Sequence, residues 1–127
     1  WLVDKLADKE LDYLHISLTR YDRATNIAKY ADKSMLQYVY EKINGRLPLV
    51  SVGDIHTRED VEWVLQYSDI AAIGTGVLID PKWFHKILAN RDSEIRTKLN
   101  LQDKDLLMIS PGTYAFMEMK TPHLLVK

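Results

Sequence analysis

Two glycines, Gly53 and Gly74, each follow a short apolar run, and the next residue is polar, Asp54 or Thr75. Glycine at the end of a buried strand lets the backbone turn and lets a ligand approach the main-chain amides closely. Two such turns side by side offer N–H groups that can hold a phosphate. The plainer alternative is that both glycines only serve turns. We expect Gly74-Thr75-Gly76 to be a turn rather than a dinucleotide fingerprint, because the third glycine is absent.

Other polar side chains near these turns have both a chemical and a structural interpretation. His15 lies within an apolar run, where a hydrogen-bonded core histidine is favoured over a catalytic or cofactor-contacting group. Ser17 is nearer the end of that run, so it can contact a ligand or fill a tightly packed layer. His56 can lean toward a phosphate or remain solvated at a helix start. Arg20 and Arg23 occupy a polar stretch, where solvated side chains are favoured over anion contacts.

A repeated unit of strand, glycine turn and helix between Leu47 and Lys86 must position the two glycines. Strands are predicted at residues 49–52 and 69–73. Thr57 is expected to cap the helix after the first strand, and Asp80-Pro81 to start the helix after the second. The residues predicted to form the buried stripes of the helices are Leu36, Val39, Tyr40 and Ile43, then Val61, Val64 and Leu65, then Trp83, Phe84, Ile87 and Leu88.

Another strand and a long polar connection precede this unit. Residues 12–18 alternate large apolar residues with residues that carry polar groups, so one side is expected to pack against helices while the other faces the interior of a closed sheet. Residues 19–33 form a connection of a length that is often functional. Ser34 and Gln37 have the spacing of a capping box, and Asn44-Gly45 is expected to end that helix. The alternating residues are Leu14, Ile16 and Leu18 on the helix side and Tyr13, His15 and Ser17 on the inner side.

These elements predict an α/β fold, the C-terminal portion of a (β/α)8 TIM barrel, with about strands six to eight in residues 1–90. The phosphate site of such barrels is frequently built from the loops after strands seven and eight. A whole barrel needs roughly 250 residues, whereas the chain has 127. Residues 91–127 are expected to be an extension packed on the barrel. Its predicted parts are a short helix at 95–99, a strand or buried extended segment at 106–109, and a turn at Ser110-Pro111-Gly112.

The composition argues against several classes of function. The 17 basic residues nearly balance the 18 acidic ones and are scattered along the sequence, which argues against a nucleic-acid or membrane-surface partner. There is no cysteine, and the histidines lack metal-ligand spacing, so no metal site is predicted. No apolar run has the length of a membrane span, and the expected location is the cytoplasm.

Three segments together carry a resemblance to a known family. DYLHISL, PLVSVGDIHTREDVEWVL and SDIAAIGTGVLIDPKW are similar to strands six to eight of the old yellow enzyme family of NAD(P)H-dependent flavin oxidoreductases. The resemblance implies a (β/α)8 barrel that binds FMN without a covalent bond. It also implies NADH or NADPH as hydride donor and a small-molecule acceptor, often an activated alkene or a quinone-like compound.

The resemblance also assigns roles to positions of this chain. Gly53 and Asp54 match the turn after strand seven, whose amides touch the FMN phosphate. Gly74 and Thr75 match a Gly-Arg pair after strand eight, so Thr75 stands where the family has an arginine, and one bidentate phosphate contact is lost. Ser17 aligns with a strand-six position near the site.

The resemblance places the flavin-ring, substrate-binding and proton-donating residues on strands one to five, which this chain does not contain. The chain alone is therefore expected to be inactive, and to pair with the N-terminal half or with another copy of itself, since open sheet edges must be covered. Two other functions stay open from the residues themselves. One is a phosphate-binding barrel lyase or isomerase, and the other is a non-catalytic half-barrel that self-associates.

Overall fold

The computed structural model describes residues 1–100 and 109–120 and shows an α/β arrangement. Packing divides the chain into two compact units, residues 1–74 and 75–127. The first unit contains α1 (Leu2–Ala7), β1 (Leu14–Ser17), α2 (Met35–Ile43), β2 (Leu49–Val52), α3 (Arg58–Val64) and β3 (Ile70–Ala71), with a 3-10 turn at Ala28–Tyr30. The second contains α4 (Thr75–Ile79), α5 (Trp83–Leu88) and α6 (Pro111–Lys120), with a 3-10 turn at Asp92–Glu94.

The three strands form one parallel sheet in the order β1-β2-β3. Ser17 is opposite Val52, and Ser51 is opposite Ala71. The Ala72 amide continues the ladder by donating to the Ser51 carbonyl at 2.8 Å. Neighbouring strands in the sheet are therefore also neighbours along the sequence, and all three strands end at the same edge.

Local capping sets the helices that follow β1 and β2. The Ser34 hydroxyl accepts the Gln37 amide while the Gln37 side chain accepts the Ser34 amide. Thr57 and Asp60 form the same reciprocal pair at the start of α3. Both predicted caps are confirmed. The end of α2 is also as predicted, with Asn44 in the left-handed region at φ 50°, a conformation that asparagine tolerates better than most residues.

The core of the first unit lies between the sheet and its helices. Buried side chains of β2 and α2, including Leu49, Leu36 and Ile43, pack there with Val64 of α3. The predicted helix-facing side of β1 is confirmed, because its three apolar residues pack against this core. They are Leu14, Ile16 and Leu18.

In the first unit, two residues predicted to lie in the buried stripes are exposed instead. Tyr40 is 45% exposed, and its ring contacts Tyr67 edge-on, with centroids 6.1 Å apart. Leu65 is 48% exposed, because α3 ends at Val64 and Leu65 is already the C-cap. Helical spacing identified the correct faces of both helices but not the limits of what the neighbouring elements cover.

The strand that follows α3 is shorter than predicted. The predicted strand over residues 69–73 shortens to Ile70–Ala71. Asp69 precedes it, and its carboxylate accepts the Leu49 amide at 2.8 Å. The expected turn over residues 74–76 is not a turn, because α4 already begins at Thr75 and contains the buried Gly76.

In the second unit, the N-cap of α5 is Lys82 rather than Asp80. Asp80 is buried and accepts the Lys82 amide at 3.1 Å, so its side chain organises the turn before the helix. Trp83 is buried as predicted, but Phe84 and Leu88 are exposed. A helix as short as α5 has one buried face, and these two side chains lie off it.

The remainder of the second unit also corrects two expectations. Residues 95–99 form no helix; Leu99 is buried with Ile79 and Met117, and Ile109 packs against them. The predicted turn after Ser110 is the start of α6, since Pro111 is its first residue. The Ser110 hydroxyl accepts the Thr113 amide at 3.2 Å, as an N-cap does.

Two expectations are not decided by these elements. Of the segment predicted at residues 106–109, only Ile109 falls within the described residues. The boundary predicted after residue 90 remains a prediction, while the packing divides the chain after Gly74. Among residues 1–100 and 109–120, no helix has both the length and the apolar character needed to cross a bilayer.

Candidate functional site

The carboxyl edge of the sheet brings together most of the residues singled out from the sequence. Ser17 ends β1, Gly53 and Asp54 follow β2, and Gly74 follows β3. The parallel register places these three strand ends next to one another. Thr75 comes next in the chain as the first residue of α4, in the second unit.

Gly53 is needed because the chain itself approaches it closely. A Cβ at this position would lie 2.9 Å from the Leu18 carbonyl oxygen, 2.9 Å from the Tyr21 amide nitrogen and 3.0 Å from the Arg20 carbonyl carbon. The Gly53 carbonyl also accepts the Tyr21 amide at 2.9 Å. The space that a side chain would fill is therefore occupied by the loop that follows β1.

Gly74 has the opposite surroundings. It is exposed, and none of the described residues has an atom within 4 Å of the position where its Cβ would be. Its backbone is also outside the left-handed region. The end of β3 therefore offers open main chain, as a close approach by a ligand requires.

The turn after β2 carries a short polar pair. Asp54 adopts a left-handed conformation with φ 53°, which aspartate tolerates better than most residues. Its Oδ1 lies 2.7 Å from Nε2 of His56. His56 is thus close to the predicted phosphate turn, and its ring engages the Asp54 carboxylate.

Tyr21 and Asp60 fasten the loop after β1 to the start of α3. The Tyr21 hydroxyl donates to Asp60 Oδ1 at 2.6 Å. Asp60 Oδ2 accepts the amides of His56 and Thr57, each at 2.8 Å. The two turns at the ends of β1 and β2 are consequently joined through one carboxylate.

This network shifts the pKa values of both groups. The hydrogen bond to Asp60 raises the pKa of Tyr21 to about 12, with burial acting in the same direction. Burial alone would raise the pKa of Asp60, but the hydrogen bonds from Tyr21 and from the amides of His56 and Thr57 lower it overall. Asp60 is therefore ionised and Tyr21 neutral at pH 7.

Neither Tyr21 nor Asp60 was predicted to belong to the site. The two residues are 39 positions apart, and no local pattern indicates that a loop tyrosine will reach a particular carboxylate. Tyr21 also packs against Trp63, with ring centroids 5.2 Å apart. An aromatic residue between the two charged residues Arg20 and Asp22 was the available signal.

Two arginines lie in the loop after β1. Arg20 donates from Nε and Nη2 to the two oxygens of Asp22, at 3.0 and 2.8 Å. Arg23 donates to the Thr19 hydroxyl at 3.0 Å. Both arginines are exposed, as expected, but each has a defined partner.

The side of β1 predicted to face inward is exposed among the described residues. It carries His15 and Ser17 on alternate positions of the strand, with Tyr13 just before it. The interpretation of His15 as a core histidine is therefore wrong for this structure. Within the described ranges, no group of three or more His, Asp or Glu side chains has an arrangement that could hold a metal ion.

One buried side chain of the sheet lacks a partner. Ser51 is fully buried, and its hydroxyl forms no hydrogen bond with the described residues. It lies two positions after the core residue Leu49 on β2, so both side chains are on the same side of the sheet. Ser51 therefore belongs to the side of the sheet that packs against the helices.

Comparison with curated proteins finds relatives among oxidoreductases. The chain is 34% identical over 105 residues to a probable NADH-dependent flavin oxidoreductase of Bacillus subtilis, a match covering 82% of the chain and 28% of that protein. It is 34% identical over 123 residues to an NADH:acrylate oxidoreductase of Vibrio harveyi, covering 93% of the chain and 12% of that protein. An uncharacterised oxidoreductase of Streptococcus pyogenes is 23% identical over 109 residues, which are 83% of the chain and 27% of that protein.

These matches confirm the resemblance to the old yellow enzyme-like, NADH-dependent flavin oxidoreductases. The chain spans less than a third of the length of each of the three relatives. No protein-family model matches it.

Proposed function

Because the chain is related to part of the NADH-dependent flavin oxidoreductases, we propose that it supplies the FMN-phosphate subsite of such an enzyme. The cofactor-binding residues in this proposal are Ser17, Gly53, Asp54, Gly74 and Thr75. The observation that carries it is the placement of three neighbouring strand ends at one edge of a parallel sheet, within a segment that matches flavin oxidoreductases.

The order of the strands supports the barrel part of the proposal. Strands adjacent in sequence are adjacent in the sheet and parallel, as consecutive strands of a (β/α)8 barrel are. Helices α2 and α3 connect them. On this reading the strands are the sixth to eighth of the barrel, and their carboxyl ends lie at the face where barrel enzymes carry their active sites.

The residues present fit a phosphate group at this edge. The exposed Gly74, with open space around its missing side chain, leaves the backbone at the end of β3 accessible. Thr75 has a hydroxyl and an amide but no guanidinium, so it offers weaker phosphate contacts than an arginine. The Asp54 carboxylate would repel an anion. Its Oδ1 lies 2.7 Å from His56 Nε2, and this contact reduces the repulsion.

A bound FMN would supply the chemistry of hydride transfer from a reduced nicotinamide nucleotide to an electrophilic acceptor. This chain's residues would hold the phosphate end of the cofactor and so position it. We propose activated alkenes as acceptors, since one relative is named for acrylate. NADH is the favoured donor because both 34%-identical relatives are named for it.

Flavin titration tests the proposal. The polypeptide that contains this chain is titrated with FMN and with riboflavin, which lacks the phosphate, while flavin fluorescence is followed. We expect FMN to be quenched on binding and riboflavin to bind at least tenfold more weakly, because the phosphate contacts are charge-assisted. Equal affinity for the two flavins would contradict the phosphate subsite. Failure to bind either flavin would contradict the flavin assignment.

The same proposal includes a partner for the open sheet. β1 is an edge strand, and beside it the exposed Leu2 and the partly buried Val3 and Leu6 line an apolar groove. We propose that the remaining barrel strands, or a second copy of the chain, cover this edge, because an open edge otherwise invites aggregation. Light scattering on the isolated chain tests this, and a well-folded monomer would contradict self-association.

A further inference from the structure

We propose that Arg20 binds the phosphate of the flavin cofactor at the turn that contains Gly53. This inference rests on the proposed function and adds a binding residue from the loop after β1. Three observations support it. The backbone of Arg20 lies against Gly53, part of the Arg20 guanidinium has no partner among the described residues, and the neighbouring carboxylates are already paired.

The main chain holds Arg20 at the end of β2. The Arg20 carbonyl carbon lies 3.0 Å from the position of a Gly53 Cβ. The following amide, that of Tyr21, donates to the Gly53 carbonyl at 2.9 Å. A ligand at the Gly53 turn is therefore within one side-chain length of Arg20.

The Tyr21 hydroxyl strengthens this placement. Its 2.6 Å hydrogen bond to Asp60 ties the residue after Arg20 to the first turn of α3. Gly53, Tyr21 and Asp60 together restrict the backbone on which Arg20 stands. Less conformational entropy is then lost when the Arg20 side chain meets a ligand.

In the part of the chain that the structure describes, one edge of the Arg20 guanidinium has hydrogen-bond partners and the other has none. Asp22 accepts from Nε and Nη2, which is the side-on arrangement. An arginine has five N–H donors, so both hydrogens of Nη1 and one of Nη2 remain for another acceptor. Arg20 is 60% exposed along its side chain, and these donors can meet a phosphate in the bidentate manner that arginine favours.

The carboxylates near the turn already have partners. Asp22 is occupied by Arg20 itself, and Asp54 by His56. Asp22, mainly through its hydrogen bonds, and more weakly Asp54 raise the pKa of Arg20, so the guanidinium lies in the field of the Asp54 turn. The unpaired donors of Arg20 are thus an accessible cationic group on this side of the turn.

The test compares Arg20→Gln with Arg23→Gln in the full polypeptide. Arg23 lies in the same loop and is exposed, but it engages only the Thr19 hydroxyl among the contacts described, so it is a matched control for loss of charge. Each protein is titrated with FMN and with riboflavin at two salt concentrations. Thermal unfolding of each protein checks that folding is unaffected.

We expect Arg20→Gln to weaken FMN binding at least tenfold and to leave riboflavin binding unchanged, while Arg23→Gln changes neither by more than twofold. Arg20→Lys should recover part of the loss, because it restores charge but not the bidentate geometry. Higher salt should weaken FMN binding in the wild type more than in Arg20→Gln.

Three results would overturn the inference. Unchanged FMN affinity in Arg20→Gln would show that Arg20 does not contact the phosphate, and it would not contradict the proposed function. An equal loss of FMN and riboflavin affinity would show a general structural effect rather than a phosphate contact. Failure of the wild-type polypeptide to bind FMN would remove the proposed function, and this inference with it.

Discussion

Replacement of Gly53 by alanine is expected to destabilise the protein through a steric conflict with its own backbone. The added Cβ would lie 2.9 Å from both the Leu18 oxygen and the Tyr21 nitrogen. Because these are main-chain atoms, rotation of a side chain cannot relieve the conflict. The backbone of Gly53 is not left-handed, so the cost comes from contact rather than from an unfavourable φ.

The magnitude follows from two contributions. Overpacking of a well-packed site costs about 1–3 kcal/mol. Moving the loop also weakens the hydrogen bond between the Tyr21 amide and the Gly53 carbonyl, which contributes about 1 kcal/mol. We therefore expect Gly53→Ala to lower the free energy of unfolding by about 3 kcal/mol, a large part of what a domain of this size has.

Gly74→Ala is the matched control, because it makes the same chemical change at the end of the neighbouring strand. Within residues 1–100 and 109–120 nothing lies within 4 Å of the new methyl group, so we expect no loss and a gain of about 0.5 kcal/mol from the less flexible unfolded chain. Urea unfolding followed by far-ultraviolet circular dichroism measures both variants. If the two unfold within about 0.5 kcal/mol of each other, close backbone approach is not the reason for glycine at position 53.

Four further predictions concern single contacts. Tyr21→Phe should lower the free energy of unfolding by about 1 kcal/mol at pH 7, because it removes a hydrogen bond to a charged group that is partly solvated. The folded state raises the pKa of Tyr21 to about 12 from about 10, so this difference from wild type should persist up to about pH 10 and disappear as the pH rises through 12. Urea unfolding across that pH range measures the difference. Asp80→Ala should destabilise the second unit by about 3 kcal/mol, because it leaves the largely buried Lys86 ammonium, now 2.5 Å from Asp80, without its carboxylate; a loss below about 1 kcal/mol in thermal unfolding would contradict this. Ser51→Ala should be neutral or stabilise by about 1 kcal/mol, since it removes a buried hydroxyl that has no partner among the described residues, and a clear loss in urea unfolding would show that the hydroxyl is satisfied. Thr75→Arg should strengthen FMN binding by about tenfold in fluorescence titration, because it restores a bidentate phosphate contact; unchanged affinity would place residue 75 away from the phosphate.

Elements whose determinants are local were predictable from the sequence. The capping boxes at Ser34 and Thr57 and the extent of β2 depend on residues a few positions apart, so pattern alone located them. The start of α6 also has a local signal, because Ser110 followed by Pro111 is typical of a helix start. The prediction of a turn there is wrong. The family resemblance came from the same kind of local pattern, extended over three segments.

Local sequence patterns could not predict which side chains are exposed. Tyr40, Leu65 and Leu88 occupy positions that helical spacing assigns to a buried stripe, yet they are exposed. Whether such a residue is covered depends on the length and position of neighbouring elements. A periodic pattern gives the direction of a face, not its width.

The sequence by itself predicted that a glycine follows each of two strands, and from this it predicted a phosphate-binding edge. Only the tertiary structure decided that the two glycines differ. At Gly53 the absent side chain makes room for the loop after β1, which Tyr21 anchors to Asp60 across 39 positions. At Gly74 the same absence leaves open main chain. The physical reason is that a glycine's backbone freedom is a property of the residue, whereas what occupies the freed space depends on parts of the chain that only folding brings there.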